Sequence, residues 1–288
     1  MYSAEFEYYR AKNVADAVKT LQKNKDAKLL AGGHSLLPAM KLRTTAPGML
    51  IDIGRIKSLA GIKASKKTVT LGALTTHAAV AESEAVMKAC PILAEAAQHI
   101  GDTQVRHRGT LGGSLAHADP AADYPTVMLA LGATFTATGA KGERDISADK
   151  FFKGLFATAL KRDEILTSVS VVAYNNMPHM GGCYLKHRHP ASSYAVVGVA
   201  AMVGLVDGKV ARAVVVVGGV TENPMHAKAV EDALMGLEPT AENIAAAADK
   251  MDIMPTMSDH YASADYRAHL AKVMTKRALM MAAQRAKG

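Results

Sequence analysis

The stretch from Leu29 to Arg43 constrains this chain more than any other part of it. It reads Leu-Leu-Ala-Gly-Gly-His-Ser-Leu-Leu-Pro-Ala-Met-Lys-Leu-Arg. An apolar run ends at Ala31, the chain turns at Gly32-Gly33, a polar pair follows at His34-Ser35, and apolar spacing then resumes. That order predicts a strand, a tight turn and a helix. Glycines at the turn permit positive φ and close approach of another group. Ser35 is placed to cap the helix, and Pro38 falls early enough to be tolerated. Such a turn aims backbone N–H groups outward, toward an anion such as a phosphate.

A second stretch turns this weak signal into a strong one. Residues 101–125 carry Gly101, Gly109, Gly112, Gly113, Pro120 and Pro125, and read as one long irregular region between periodic segments. Loops of that length inside a domain are usually functional. Thr110, Gly112, Gly113 and Ser114 make a second glycine turn, this one bearing hydroxyls, as a diphosphate requires. Asp119 and Asp123 are carboxylates that can accept from ribose or ribityl hydroxyls. Neither turn fits a one-loop nucleotide motif, because Gly-x-Gly-x-x-Gly and Gly-x-x-x-x-Gly-Lys-Ser/Thr are both absent. Two separated turns point instead to a cofactor held between two subdomains.

Composition narrows the class. With 288 residues the chain is long for one core, so two domains are expected. No apolar run approaches the ~20 residues of a membrane span. The N-terminus lacks a basic region followed by an apolar one, so a cytoplasmic protein is expected. Cys90 and Cys183 stand alone, which excludes an iron–sulfur cluster, since that takes about four ligands, and leaves a structural zinc site unsupported; buried thiols are expected. The net charge of +8 comes from scattered basic residues, apart from a C-terminal group including Lys272, Lys276 and Arg285. With no tryptophan and few aromatics to stack on bases, nucleic-acid binding is not expected.

Periodicity supplies the rest of the organisation. Val14, Ala17, Val18 and Leu21 predict a helix, and Met49 to Ile53 a buried strand, giving a small parallel unit over residues 1–55. Residues 69–73 alternate like a strand, Thr76 is placed to cap a helix from His77 to Ala89, and Pro91 opens a second helix. A short helix at 126–132, a strand at 134–138, a helix or turn at 148–154 and a strand through Ile165, Val169 and Val171 follow. Residues 174–182 break the composition, so the boundary is placed there: 1–176, with subdomains of about 1–55 and 56–176, then 177–288. Beyond it, Tyr194 to Val206 and Val210 to Gly218 flank Asp207-Gly208 as a hairpin, and Asn223-Pro224 ends the sheet. Helices are expected at His226 to Met235, at Ala241 to Met251 and from Ser263 onward, the last with Tyr266, Leu270, Val273 and Met280 on one face.

Ala31-Gly-Gly-His-Ser-Leu-Leu-Pro-Ala-Met-Lys, taken with Gly109-Thr-Leu-Gly-Gly-Ser-Leu-Ala-His-Ala-Asp-Pro-Ala-Ala-Asp, closely resembles the medium, FAD-binding subunit of molybdenum hydroxylases. The likeness extends over essentially the whole chain, toward the flavoprotein subunit of aerobic carbon monoxide dehydrogenase and xanthine-dehydrogenase-type relatives. It implies an α+β fold: a two-subdomain PCMH-type FAD-binding domain, then a C-terminal domain of small antiparallel sheet plus helices. It implies FAD as the cofactor, held by Leu30, Ala31, Gly32, Gly33, His34, Ser35 and Leu36 from the first turn and by Thr110, Leu111, Gly112, Gly113 and Ser114 from the second. It further implies main-chain contact from Ile100, a hydrogen bond from Asp123 to the ribityl chain or flavin, and Lys186 at the flavin's edge. The implied partners are a large molybdenum-cofactor subunit and a small [2Fe-2S] subunit, in a dimer of heterotrimers. Thr103 replaces the family's usual proline. His187 to Ser193 stand where relatives of carbon monoxide dehydrogenase carry a basic run, which weakens the case for carbon monoxide as substrate and leaves the FAD role intact.

The chemistry expected of the chain itself is flavin reduction and reoxidation, with no metal site and no catalytic residue of its own. A self-contained flavin oxidase of the same superfamily is the alternative; it needs a substrate pocket with a base over the flavin, and none is evident. A scaffold whose glycine turns hold nothing is a third reading. His34 has no partners for a hydrolase triad and reads as a loop residue. Arg106, His107 and Arg108 are candidates for phosphate binding but read as partner-facing or solvated, and His187 and His189, spaced to ligate a metal but lacking a third ligand, read as surface or interface positions. Tyr194 either covers the flavin or starts a strand.

Overall fold

The computed structural model describes residues 1–254 and 256–288, with the side chain of Asn176 set aside. Among the described residues three larger sheets succeed one another along the chain, beside a two-stranded one formed by Phe152–Gly154 and Ala157–Thr158. In the first, strand Met49–Asp52 lies between Glu7–Arg10 and Ala27–Leu30, parallel to both. Helix Val14–Lys23 covers it, burying Ala17, Val18 and Leu21, and is capped by Asn13, which accepts from Asp16 N at 2.9 Å. A parallel pair needs a crossover, and this helix supplies it between the two outer strands.

The second sheet is antiparallel, in the order Ile62–Ala64, Thr68–Gly72, Ile165–Val172, Thr134–Gly139, Gly142–Ser147. Its alternating residues Val69, Leu71, Phe135, Ala137, Val169 and Val171 face one core with Ile92, Leu93, Leu111, Leu115 and Met128 of the covering helices. The third sheet pairs Met180–Arg188, Ala195–Val206, Lys209–Gly218 and Met225–His226, all antiparallel. The expected hairpin is present: Asp207 and Gly208 both take positive φ, at 49° and 75°, the geometry a two-residue turn needs. One face of this sheet packs on helix Ala264–Lys287 through Val199, Ala201, Val215 and Val217. The other face sends Tyr184, Ala200, Met202 and Val216 into the core of the second sheet. The C-terminal sheet is therefore joined to the helices Pro91–Gln98 and Asp123–Ala130 by shared apolar burial.

Several expectations are corrected. The helix expected from His77 to Ala89 is two, His77–Ala81 and Glu84–Ala89, because Ser83 caps the second by accepting from Val86 N. Residues 101–125 are helical in large part. Asp102 caps Thr103–Arg108, Thr110 caps Leu111–His117, and the helix expected at 126–132 begins at Asp123. Ser35 stands at the head of helix Leu36–Lys41 without a capping bond. His226 lies in a two-residue strand, so the sheet continues past Asn223-Pro224 and the helix starts at Lys228. On the last helix Tyr266 and Met280 are exposed; the buried stripe runs through Arg267, Leu270, Ala271, Met274, Ala278 and Ala282. Cys90 and Cys183 are both buried free thiols.

Candidate cofactor site

The first glycine turn leaves a row of amides unengaged. Gly33 has φ +77°, and the helix beyond it opens with Leu37 N donating to Gly33 O at 3.0 Å. Among the described residues, the N–H groups of Gly32, Gly33, His34, Ser35 and Leu36 have no hydrogen-bond partner inside the protein. Five successive unpaired N–H groups at a turn make a concavity of positive potential. His34 is exposed, with Nδ1 3.1 Å from Gly32 O, so its ring lies against its own turn.

The second turn is built differently. Leu111 N donates to Thr75 O, Gly112 N to Ala73 O, Gly113 N to Thr110 Oγ1 and Ser114 N to Thr110 O. These amides are engaged internally. What the turn offers outward is the exposed backbone of Gly113 and the half-buried Ser114. A Cβ on Gly112 would collide with Ala73, and one on Gly113 would stand 2.7 Å from Thr110 Oγ1.

The two turns touch. A Cβ on Gly32 would run into the carbonyl of Arg108, directly before Gly109. Only a glycine lets these backbones approach so closely. Beside the contact opens a cleft of about 450 Å³, lined by Leu30, Ala31, Gly32 and Leu37 on one side and His107, Arg108 and Thr110 on the other. Arg10, Arg55, Tyr8 and Asp52 also line it. Three guanidinium groups against one carboxylate give the cleft a positive potential. Beneath it His77 is buried against Gly109 and 5.3 Å from the Tyr124 ring, with no partner for Nδ1 among the described residues. Burial, then the charges of His34 and Arg106, hold His77 at about 4, so it is neutral at neutral pH.

The remaining implied residues form a second group, away from the cleft lining. Asp123, at the first turn of its helix, is buried. The Lys186 ammonium reaches its Oδ1 at 2.9 Å and Oδ2 at 3.0 Å, and donates to His99 O at 2.8 Å. The Tyr184 hydroxyl donates to Asp123 Oδ1 at 2.6 Å. Burial pushes the Lys186 ammonium down, with Asp123 opposing, and pushes the Tyr184 phenol well up. Lys186 is thus a paired cation. Ile100 has its N–H bonded to Ala97 O and its carbonyl held by Arg106 Nη1 at 3.0 Å, so its main chain is engaged within the protein. The phenol of Tyr194, a partly exposed side chain, is raised by burial and then by the Asp119 charge, with Ser35 of the first turn opposing. Sequence reasoning missed Tyr184, His77 and the contact of Gly32 with Arg108. Tyr184, two residues before Lys186 on a strand, faces the same way, and that spacing is the signal that was available.

Comparison with known proteins identifies the family. Residues 4–171 match the model of the FAD binding domain in molybdopterin dehydrogenase, and residues 183–282 that of the CO dehydrogenase flavoprotein C-terminal domain. The chain belongs to the FAD-binding subunits of molybdopterin dehydrogenases. It is 38% identical over 281 residues to the carbon monoxide dehydrogenase medium chain of Hydrogenophaga pseudoflava, covering 97% of each chain. It is 36% identical to the glyceraldehyde dehydrogenase medium chain of Sulfolobus acidocaldarius, covering 96% of this chain and 98% of the relative. The solved carbon monoxide dehydrogenase from Hydrogenophaga pseudoflava superposes with a TM-score of 0.94 at 40% identity, covering 99% of each chain.

The residues present fit the FAD of this family. A diphosphate needs clustered N–H donors and positive potential, and the first turn supplies five unpaired amides beside a cleft with Arg10, Arg55 and Arg108. Among the described residues no group of three or more His, Cys, Asp or Glu side chains is arranged to hold a metal ion, and no helix is long and apolar enough to cross a membrane.

Proposed function

We propose that this chain is the electron-carrying FAD subunit of a molybdenum-containing hydroxylase. Residues 1–176 act as the FAD-binding domain and 177–288 as a C-terminal domain packed on it. Leu30 to Leu36 and Thr110 to Ser114 hold the diphosphate from two sides, the first turn through amides and the second through Ser114 and close backbone approach. Asp123, Lys186 and the Ile100 segment stand toward the flavin. Bound FAD would supply the electron-carrying chemistry, accepting electrons from the [2Fe-2S] clusters of a small partner and releasing them to an external acceptor. Substrate oxidation belongs to a large molybdenum-cofactor partner, the three chains pairing as a dimer of heterotrimers, in the cytoplasm.

The observation that carries this reading is the run of unpaired amides from Gly32 to Leu36, pressed by Gly32 against the second turn. The two cysteines, both buried and far apart in sequence, are too few to ligate iron–sulfur clusters, so the clusters fall to another chain. Purification from the native source tests the reading. Co-elution with a larger molybdenum-containing chain and a smaller iron-containing chain, with a flavin spectrum, is expected. A single-chain flavoprotein that oxidises a small substrate unaided would overturn it.

A further inference from the structure

Asp123 is contacted by two donors from the same strand. Tyr184 and Lys186 are alternate residues of Met180–Arg188, so they project from one face of the sheet. Lys186 carries a flexible point charge that can approach a carboxylate in many ways. Tyr184 cannot. It is fully buried among the core residues, and its hydroxyl meets Oδ1 at 2.6 Å. Room for that hydroxyl exists because position 198 is glycine. A Cβ there would lie 2.6 Å from the Tyr184 hydroxyl oxygen, and Gly198 pairs with Lys186 across the ladder. The rigid donor, the flexible donor and the missing side chain therefore meet at one carboxylate.

We propose that Tyr184 is a positioning residue of the flavin site: it pins Asp123 through Oδ1 and thereby fixes where the Lys186 ammonium sits between Asp123 and the His99 carbonyl. This rests on the reading above that Asp123 and Lys186 stand at the flavin. A buried carboxylate that keeps a neutral donor has its negative charge partly spread onto that donor. Without the donor, the full charge falls on Lys186, draws the ammonium closer, and leaves less positive field for a reduced, anionic flavin. The phenol is suited to the task, because burial and the neighbouring carboxylate keep it protonated.

The test is the flavin midpoint potential of the full, FAD-loaded chain, measured by spectroelectrochemical titration alongside FAD content and thermal stability. Tyr184→Phe removes one oxygen and is expected to retain FAD while shifting the potential to more negative values. Gly198→Ala, which crowds the same hydroxyl from another strand, is expected to shift it in the same direction. Asp123→Asn, which frees Lys186 from its counter-charge, is expected to shift it positively. An unchanged potential in Tyr184→Phe beside a shifted Asp123→Asn would overturn the proposal and reduce Tyr184 to a packing residue. An unchanged potential in Asp123→Asn would overturn the placement of Asp123 at the flavin, and the proposal with it. If Tyr184→Phe fails to fold, Gly198→Ala decides, an unchanged potential there again overturning the role.

Discussion

At the scale of single residues, His77 ties the second glycine turn to pH. Its folded value of about 4 lies below its ordinary 6.5. The folded form therefore resists protonation while the unfolded chain takes the proton, and stability falls as pH drops from 6.5 toward 4, by about 3 kcal/mol in all. Urea melts at the two ends of that window should show this loss in the native chain and a smaller one in His77→Leu. Equal losses in both would contradict the assignment. The glycines were legible in sequence as two turns, and the structure brings those turns into contact where Gly32 meets Arg108. Their division of labour was not, because which amides are spent depends on what packs beside them. Thr75 and Ala73 take up the second turn's N–H groups, and they sit on a separate segment that no local pattern connects to it.

At the scale of elements, buried charges fix how segments meet. Arg267 of the last helix donates to Val196 O at 2.6 Å and Gly219 O at 2.7 Å, and pairs with Asp259. Next to those carbonyls, Ala195 N and Gly219 N donate to Ala121 O and Pro120 O, beside Asp119 and Asp123. Arg267→Met leaves two buried carbonyls without a donor and should cost roughly 3 kcal/mol, at 1–3 per group, read as a lower urea midpoint; an unchanged midpoint would count against the clamp. Glu231 holds the edge strand similarly. Burial alone would raise its carboxyl, yet His226, Lys228 and the Val215 N–H outweigh it and bring it to about 2. This stability is fully present above 4.5 and is lost as pH falls toward 2, so Glu231→Gln should flatten acid unfolding over that window by about 3 kcal/mol. Acid titrations that coincide for the two proteins would refute it. Elements with clean alternation, such as Thr134–Gly139, were readable in advance, as was the Asp207-Gly208 hairpin. Strands Glu7–Arg10 and Gly142–Ser147 were not, because their exposed polar faces mask the period. The last helix was read with its stripe displaced, since a charged residue, Arg267, occupies a buried position.

At the scale of the whole molecule, the three larger sheets meet at two seams. The first glycine turn closes on the second where Gly32 meets Arg108, and the C-terminal sheet closes on Asp123 through Tyr184 and Lys186. The general architecture was legible through the family resemblance carried by the two glycine stretches, with periodicity locating individual strands and helices. The seams were not, since they join residues far apart in sequence through backbone contact and buried hydrogen bonds. The central claim is that both turns hold one FAD. Its most direct measurement is the flavin content of the purified chain with Gly33→Val or Gly113→Val. Valine at 33 is forced into positive φ against Leu37, and valine at 113 strikes the Thr110 cap. A yellow native protein and two folded, colourless variants are expected, with FAD binding weakened by more than about tenfold. Folded variants that retain native flavin content would contradict it.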